Sequence, residues 1–427
     1  PAGATITNSG TANGFGRTGT VDWQTSSIKT TTFTAVNGQG FFADTSSGGF
    51  TMNLPAGTGG SIVSVADYTN TFQTNNLTVT PNGSQKIGGV QASSVLSTEG
   101  QSVTLVYVDD TEGWKNVQDS TSNVTGNPFL VASGGTETTS GNFKIHTFTG
   151  PGTFTVNNAS TTAADNIVSY MVIAGGGGGG GTGGGGGAGG GGFREYKGPA
   201  DSYTASPLNG NPGGTAITVT AQAYPITVGA GGAGGTGCGP GGGGTAASGA
   251  NSIFSSITSA GGGFGGTRSS GGPQPQGQPG GSGGGNGRDS GNGTGGSGNT
   301  PPVSPPQGQN GGGSPGTNSF DGGGGGGAGG AGGAGALQQA GAGGAGITTS
   351  ITASPVTRAG GGGGGSDTAG DNGAAGPGGG GTGGKQPGTD SGSNGTANTG
   401  GGGGASGEAG NGGTGGSGIV VIRYKFQ

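Results

Sequence analysis

The chain has 427 residues, 124 of them glycine, with 26% hydrophobic and 7% charged residues, both far below the share in an ordinary globular domain. A net charge of −5 excludes nucleic-acid binding by bulk positive charge. So little charge, with the apolar residues gathered in short β-like runs, also argues against a disordered chain. The single cysteine, Cys238, excludes an internal disulfide and reads as a small buried filler. No apolar run reaches the roughly 18 residues of a membrane-spanning helix. The opening PAGATITNSG lacks a signal-peptide pattern. Pro1 fits removal of an initiator methionine or another processing step, and reaching the outside without a signal peptide would suit a particle component released by lysis.

Apolar spacing of the helical kind is almost absent, and strand patterns run to about residue 173. Residues 1–30 are polar and extended, with Trp23 as their large apolar anchor, and read as an attachment or oligomerisation arm. Residues 31–119 hold TTTFTAV, GFFADTS, GFTMNLP, SIVSVADY, NLTVTP and SVTLVYV, separated by Gly/Asn turns. Short β-branched runs at that spacing predict a small β-sandwich or barrel, with Trp114 covering the end of its core. Asp109, Asp110 and Glu112 cluster in DDTEG, which reads as a solvated hairpin turn rather than a metal site. Residues 120–135 read as a Ser/Thr/Gly linker. Three further strands follow in NFKIHTFTG, GTFTVNN and NIVSYMVIAG, with His146 expected to face solvent.

From Gly175 to Gly418 glycine runs of four or more recur at 175–181, 183–187, 189–192, 241–244, 322–327, 360–365, 378–381 and 400–404. Apolar strands bracket the region, IVSYMVIAG before it and GIVVIRYKF after it. Pairing of these two would clamp residues 136–427 into one domain. A glycine sheet has no side chains to pack, and a glycine α-helix costs about 1 kcal/mol per residue against alanine. The left-handed polyglycine II helix, with three residues per turn and about 3.1 Å rise, remains. Its N–H and C=O groups point outward, so only a bundle satisfies them. Ala328, Ala331 and Ala334, then Ala342 and Ala345, recur every three residues, which sets each group on one outward face. Collagen would need an unbroken Gly-X-Y repeat rich in proline. The predicted fold is mainly β with almost no α-helix: a small β-sandwich-like domain, then a polyglycine II bundle clamped by β-strands.

Glycine makes motif searches misfire. In GGTGGKQ, residues 380–386, Gln386 follows Lys385 where a P-loop needs Ser/Thr. GGSGG around Ser282 has no elbow strand or helix beside it. GGNGRD, Gly284–Asp289, is one isolated copy of a calcium nonapeptide. None is taken as a site, so no catalytic residues, metal or cofactor are expected, and the chain reads as no enzyme. The polar segments between runs are read as loops on a rigid scaffold, where recognition is commonly built. The candidate binding residues are Phe193, Arg194, Tyr196, Tyr203, Arg268, Gln274, Gln276, Arg288, Asp289, Phe320 and Lys385.

The segments NFKIHTFTGPGTFTV, NIVSYMVIAGGGGGGG, YPITVGAGG, NSIFSSITSAGGG and GGSGIVVIRYKF resemble the glycine-rich domain of tail fibre proteins from tailed bacteriophages, especially marine and cyanobacterial ones. Residues 31–119 resemble a small β domain of the same virion proteins. Related tip adhesins form polyglycine II sandwiches whose distal loops touch the host receptor, and a glycine-rich region of anaplastic lymphoma kinase packs similarly. The resemblance implies a virion tail fibre protein whose head binds a host surface glycan or outer-membrane protein. It further implies other virion tail proteins as partners, a homotrimer as in most fibres, an extracellular virion location and no nucleic acid. The alternative is a purely architectural fibre without receptor contact. An ice-binding face would want regular repeats and few loops, and a polysaccharide depolymerase would want a paired-carboxylate cleft; the sequence favours neither.

Overall fold

A computed structural model describes residues 21–120, 129–210, 213, 215–237, 244–267, 276–288, 293–314, 321–367, 370–386 and 391–427. The chain forms two units, Pro1–Asn127 and Pro128–Gln427. Strands account for nearly all of the regular structure in both.

In the first unit the strands are β1 (Asp22–Trp23), β2 (Phe33–Thr34), β3 (Gln39–Ala43), β4 (Phe50–Asn53), β5 (Ile62–Asp67), β6 (Leu77–Thr80), β7 (Ser94–Leu96), β8 (Ser102–Tyr107) and β9 (Trp114–Ser120). They make two sheets, ordered β1-β3-β5-β8-β9 and β2-β4-β6-β7. The pairs β1–β3, β3–β5, β2–β4 and β4–β6 are parallel. The chain therefore winds from sheet to sheet in successive coils, and each strand of one sheet is the crossover that a parallel pair in the other requires. Only the last strands run antiparallel. The short, evenly spaced strands are those read from the sequence, but their winding is that of a solenoid. The first coil starts at Asp22, ahead of residue 31. Phe41, Met52, Leu54, Val63, Phe72, Leu77, Val79 and Trp114 fill the space between the sheets, and Trp114 meets Tyr107 edge-on at 5.6 Å. In DDTEG, the Asp109 carboxylate accepts from the N–H groups of Thr111 and Glu112, as turn aspartates do.

The second unit opens with β10 (Val131–Ser133), β11 (Thr136–Ser140), β12 (Phe143–Phe148), β13 (Gly152–Asn158) and β14 (Ile167–Ile173). It continues with β15 (Phe193–Tyr196), β16 (Ile217–Thr218), β17 (Ala223–Thr227), β18 (Ser252–Phe254), β19 (Ile257–Ser259), β20 (Ile347–Thr349), β21 (Val356–Arg358) and β22 (Ile419–Lys425). β14 and β22 pair antiparallel with Ile173 opposite Ile419, the clamp expected from the sequence. Alternation divides their side chains between two cores. Val168, Tyr170, Val172, Val420, Ile422 and Tyr424 face the second sheet, β10-β13-β17-β18-β19. Met171, Ile173, Ile419 and Val421 face the other way, onto Phe193, Ala328, Ile351 and Ala359 at the base of the glycine region.

His146 corrects the sequence reading. It is fully buried, with Nδ1 2.7 Å from the Gly134 carbonyl, and its ring stacks on Tyr424. The strand reading assumed one wet face, but β12 lies inside its sheet between β11 and β22, and the His146 side of it is covered.

The glycine region is a hexagonal array of polyglycine II segments. Its centre is 185–192. Three sets of N–H groups leave it in rotation: Gly186, Gly189 and Gly192 donate to Gly266, Gly263 and Ala260; Gly187 and Gly190 to Gly323 and Gly326; Ala188 and Gly191 to Gly403 and Gly400. Its carbonyls accept in the same rhythm from Gly177 and Gly180, from Gly285 and Ser282, and from Gly362 and Gly365. Each neighbour is met every third residue, as three residues per turn requires. The six neighbours, 175–181, 260–267, 282–287, 321–328, 359–366 and 400–407, close a ring through Gly265–Gly178, Gly266–Gly285, Gly323–Asn286, Gly325–Gly362, Gly402–Gly360 and Gly403–Gly177 bonds. An outer shell surrounds them.

Glycine is required because side-chain directions point at neighbouring main chain. A methyl on Gly178 would overlap the Ala233 carbonyl oxygen, and one on Gly186 that of Gly285. Methyls do lie inside at Ala188 and Ala405. Ala331, Ala334, Ala342 and Ala345 are exposed as expected, whereas Ala328 is buried against the base, because the chain reverses just after it. Where a backbone partner is missing, a carboxamide replaces it. Asn286 accepts from Gly277 N–H and donates to the Thr294 carbonyl, and Gln307 accepts from Ala260 N–H.

Two outcomes are expected. Gly178→Ala lowers the urea midpoint of the glycine-rich unit by the equivalent of about 3 kcal/mol, at the upper end of overpacking costs, while exposed Ala331→Ser stays within about 0.5 kcal/mol. Burial pushes the His146 imidazole below its ordinary pKa of 6.5, against the opposing hydrogen bond to Gly134. The unfolded chain then binds the proton more readily, so this contribution is full above about pH 6.5 and is lost as pH falls below it. His146→Gln flattens that slope in pH-dependent melting.

Candidate distal recognition surface

The segments run alternately away from the base sheet and back. Segment 175–181 leads outward, turns at Thr182, Gly183 and Gly184 with positive φ at all three, and returns as 185–192. That turn is the centre of the far end: Gly183 N–H donates to the Glu408 carbonyl, Gly184 N–H to Gly407, and Arg288 N–H to Gly184. Around it, Asp321 bridges to Ser366, Ser366 to Lys385, and Gln339 to Asp371. The Arg288 guanidinium is buried in an ion pair with Asp367, and Gln386 contacts Glu408. Leu337 is 70% exposed at this end, beside exposed Gln338 and Gln339. It is the most exposed large hydrophobic side chain among the described residues.

The candidate residues divide between the two ends. Phe193, Arg194 and Tyr196 belong to β15, which pairs with β14 at the base. Phe193, Tyr196 and Tyr203 are buried there, so they are not a loop surface. FREY continues the sheet because 185–192 has just returned to it. Tyr203 donates to the Glu195 carboxylate at 3.1 Å, and burial with that neighbouring charge pushes its hydroxyl pKa far up. Arg194 is half-buried, and burial lowers its pKa. Close by, Arg423 Nε lies 3.0 Å from both Asp201 oxygens, Ser169 donates to Asp201, and the guanidinium lies over Phe143. This network pins the loop after β15.

Gln276, Arg288 and Lys385 belong to the far end. Gln276 and Lys385 are exposed, and Arg288 is buried. Arg268, Gln274, Asp289 and Phe320, like Cys238, lie outside the described residues. The described residues flanking the four candidates, Thr267 and Gln276, Arg288 and Gly293, Ser314 and Asp321, are at the far end of their segments. The base and the far end are separated by the length of one segment, roughly 25 Å for eight residues at 3.1 Å rise.

Leu337, Gln338 and Gln339 were missed from sequence. Their signal is GALQQAGA, where one large apolar side chain interrupts a tract that otherwise has none. Among the described residues no group of three His, Cys, Asp or Glu side chains is placed to hold a metal.

Comparison with known families gives one result: the model of a family described as a glycine-rich domain matches residues 147–425. No curated protein matches the sequence.

The two ends should respond differently to substitution. Asp201→Ala strands the buried Arg423 and should cost about 3–5 kcal/mol, whereas Leu337→Ala should stay within about 0.5 kcal/mol. Thermal unfolding of the two variants beside the parent checks this.

Proposed function

The chain belongs to the glycine-rich domain family, and from that premise we propose that it is a virion tail fibre protein of a tailed bacteriophage that binds the host cell surface through the far end of its glycine array. One observation carries the reading: a rigid, nearly side-chain-free lattice presents its turns together at the end away from the clamping sheet, with exposed Leu337, Gln338, Gln339 and Lys385 among them. Such exposed residues on a rigid support suit recognition, whereas the aromatic residues at the other end are spent on the core. The partner in this reading is a host surface glycan or outer-membrane protein. The first unit joins other virion tail proteins, the fibre is a homotrimer, and the protein acts outside the cell as part of the virion.

Labelled protein applied to a panel of candidate host cells tests this. A variant with Leu337→Asp, Gln338→Ala, Gln339→Ala and Lys385→Glu should melt like the parent and lose at least tenfold in binding to a narrow host set. Undiminished binding by the folded variant would overturn the tip as the recognition surface. A parent that binds no host while adsorption of the virion needs the protein would favour an architectural fibre.

A further inference from the structure

One side facet of the array carries a cleft that the proposed function leaves unused. It has a volume of about 400 Å³ and is lined by Gly293, Thr294, Gly295 and Ser297 on one wall, Asn310 to Gly313 on the floor, and Gly332 and Ala334 on the other wall. None of these residues is charged. The floor is bare main chain for a geometric reason. Side chains at Gly311, Gly312 and Gly313 would point at the carbonyls of Gly284, Gly333 and Gly293, and the Asn310 carboxamide turns sideways to accept from Gly298 N–H. No side-chain direction on the floor opens into the cleft.

The inward groups of this segment are paired like the rest of the lattice: Gln309 and Gly312 donate to Gly327 and Gly324, and Gly311 donates to Gly296. Its outward groups are different. Among the described residues, the N–H groups of Asn310 and Gly313 have no hydrogen-bond partner, and the Gly311 carbonyl accepts none. On the adjoining wall the N–H groups of Thr294 and Ser297 are likewise unpaired. Both pairs of donors are three residues apart, about 9.3 Å at the rise of this helix. That is the repeat by which every interior segment meets its neighbours.

We propose that this cleft binds an uncharged, glycine-rich peptide segment of a partner protein, added as one further polyglycine II strand. Its carbonyls accept from the Asn310 and Gly313 N–H groups, the one-directional pairing by which each interior segment meets a given neighbour. The complementarity is one of partial charge, donors facing acceptors at matched spacing, and the mode parallels strand addition at a sheet edge. Small residues are required where the guest faces the floor, because segments within the array approach closely enough that a methyl strikes the facing carbonyl. The site is on the side of the array rather than its tip, so it stands apart from the proposed receptor surface.

The test uses the full chain and two capped peptides, GGSGGSGGSGG and AASAASAASAA, in isothermal titration, with amide hydrogen exchange as a second readout. The glycine peptide should bind saturably, the alanine peptide at least tenfold more weakly, and exchange at Asn310 and Gly313 should slow on binding. Ser297→Phe with Ala334→Phe, both at exposed rim positions, should abolish binding without shifting the melt. If that variant unfolds, exchange at Asn310 and Gly313 in the parent decides. Absence of saturable binding, equal binding of the alanine peptide, or binding that leaves those two amides unchanged would overturn the proposal. An uncharged oligosaccharide that protects them while the peptide does not would also overturn it.

Discussion

Everything in the second unit depends on main chain meeting main chain on six sides. Ordering a residue costs roughly 1–2 kcal/mol of backbone entropy, and glycine loses more than any other residue. An amide hydrogen bond returns only about 0.5–1.5 kcal/mol net. A lone polyglycine segment therefore has no reason to hold its shape. The array changes this by giving nearly every interior residue a donated bond, an accepted bond and close contact with several neighbours, as around 185–192. Removing the side chain makes that density possible, and adding one back at most interior positions forbids it.

So close a balance per residue explains the rest of the architecture. The array is not left to stand alone. Its first and last segments continue into β14 and β22, whose pairing closes the lattice at its base. The alternating faces of those strands bury aromatic and branched side chains in two cores. The hairpin β20–β21 adds another anchor: Thr349 reaches the buried Glu195, and Ile351 is fully buried. The base supplies the hydrophobic burial that the glycine segments lack, and the far end is left free to carry turns. The division of labour between a stabilising end and a presenting end follows from the physics of a lattice without side chains.

Much of this is legible in the sequence. β-branched runs mark the strands, the two bracketing strands announce the clamp, and glycine runs in a chain of low charge admit little but polyglycine II. The pairing direction in the first unit is not legible, because the pattern of a short strand is the same whether its partner runs parallel or antiparallel. The burial of His146 is not legible either, since alternation alone does not say that a second layer covers the polar face. The placement of the candidate residues was only half legible. Polar interruptions mark turns, but treating them as one surface overlooks that successive segments alternate in direction. Counting outward and inward runs puts Phe193 back at the base, directly after the first return, and puts GALQQAGA at the far end.

Amide hydrogen exchange across the glycine region, followed by mass spectrometry with electron-transfer fragmentation, tests the lattice most directly. Glycine amides in an irregular tract exchange rapidly. The lattice requires the amides of 185–192, each donating to one of three neighbours, to be among the slowest in the unit, opening only with global unfolding. Protection should fall from there to the ring and then to the outward-facing groups of the shell. Fast exchange throughout 185–192 in the folded protein would contradict the lattice, and with it the account of why this chain is built of glycine.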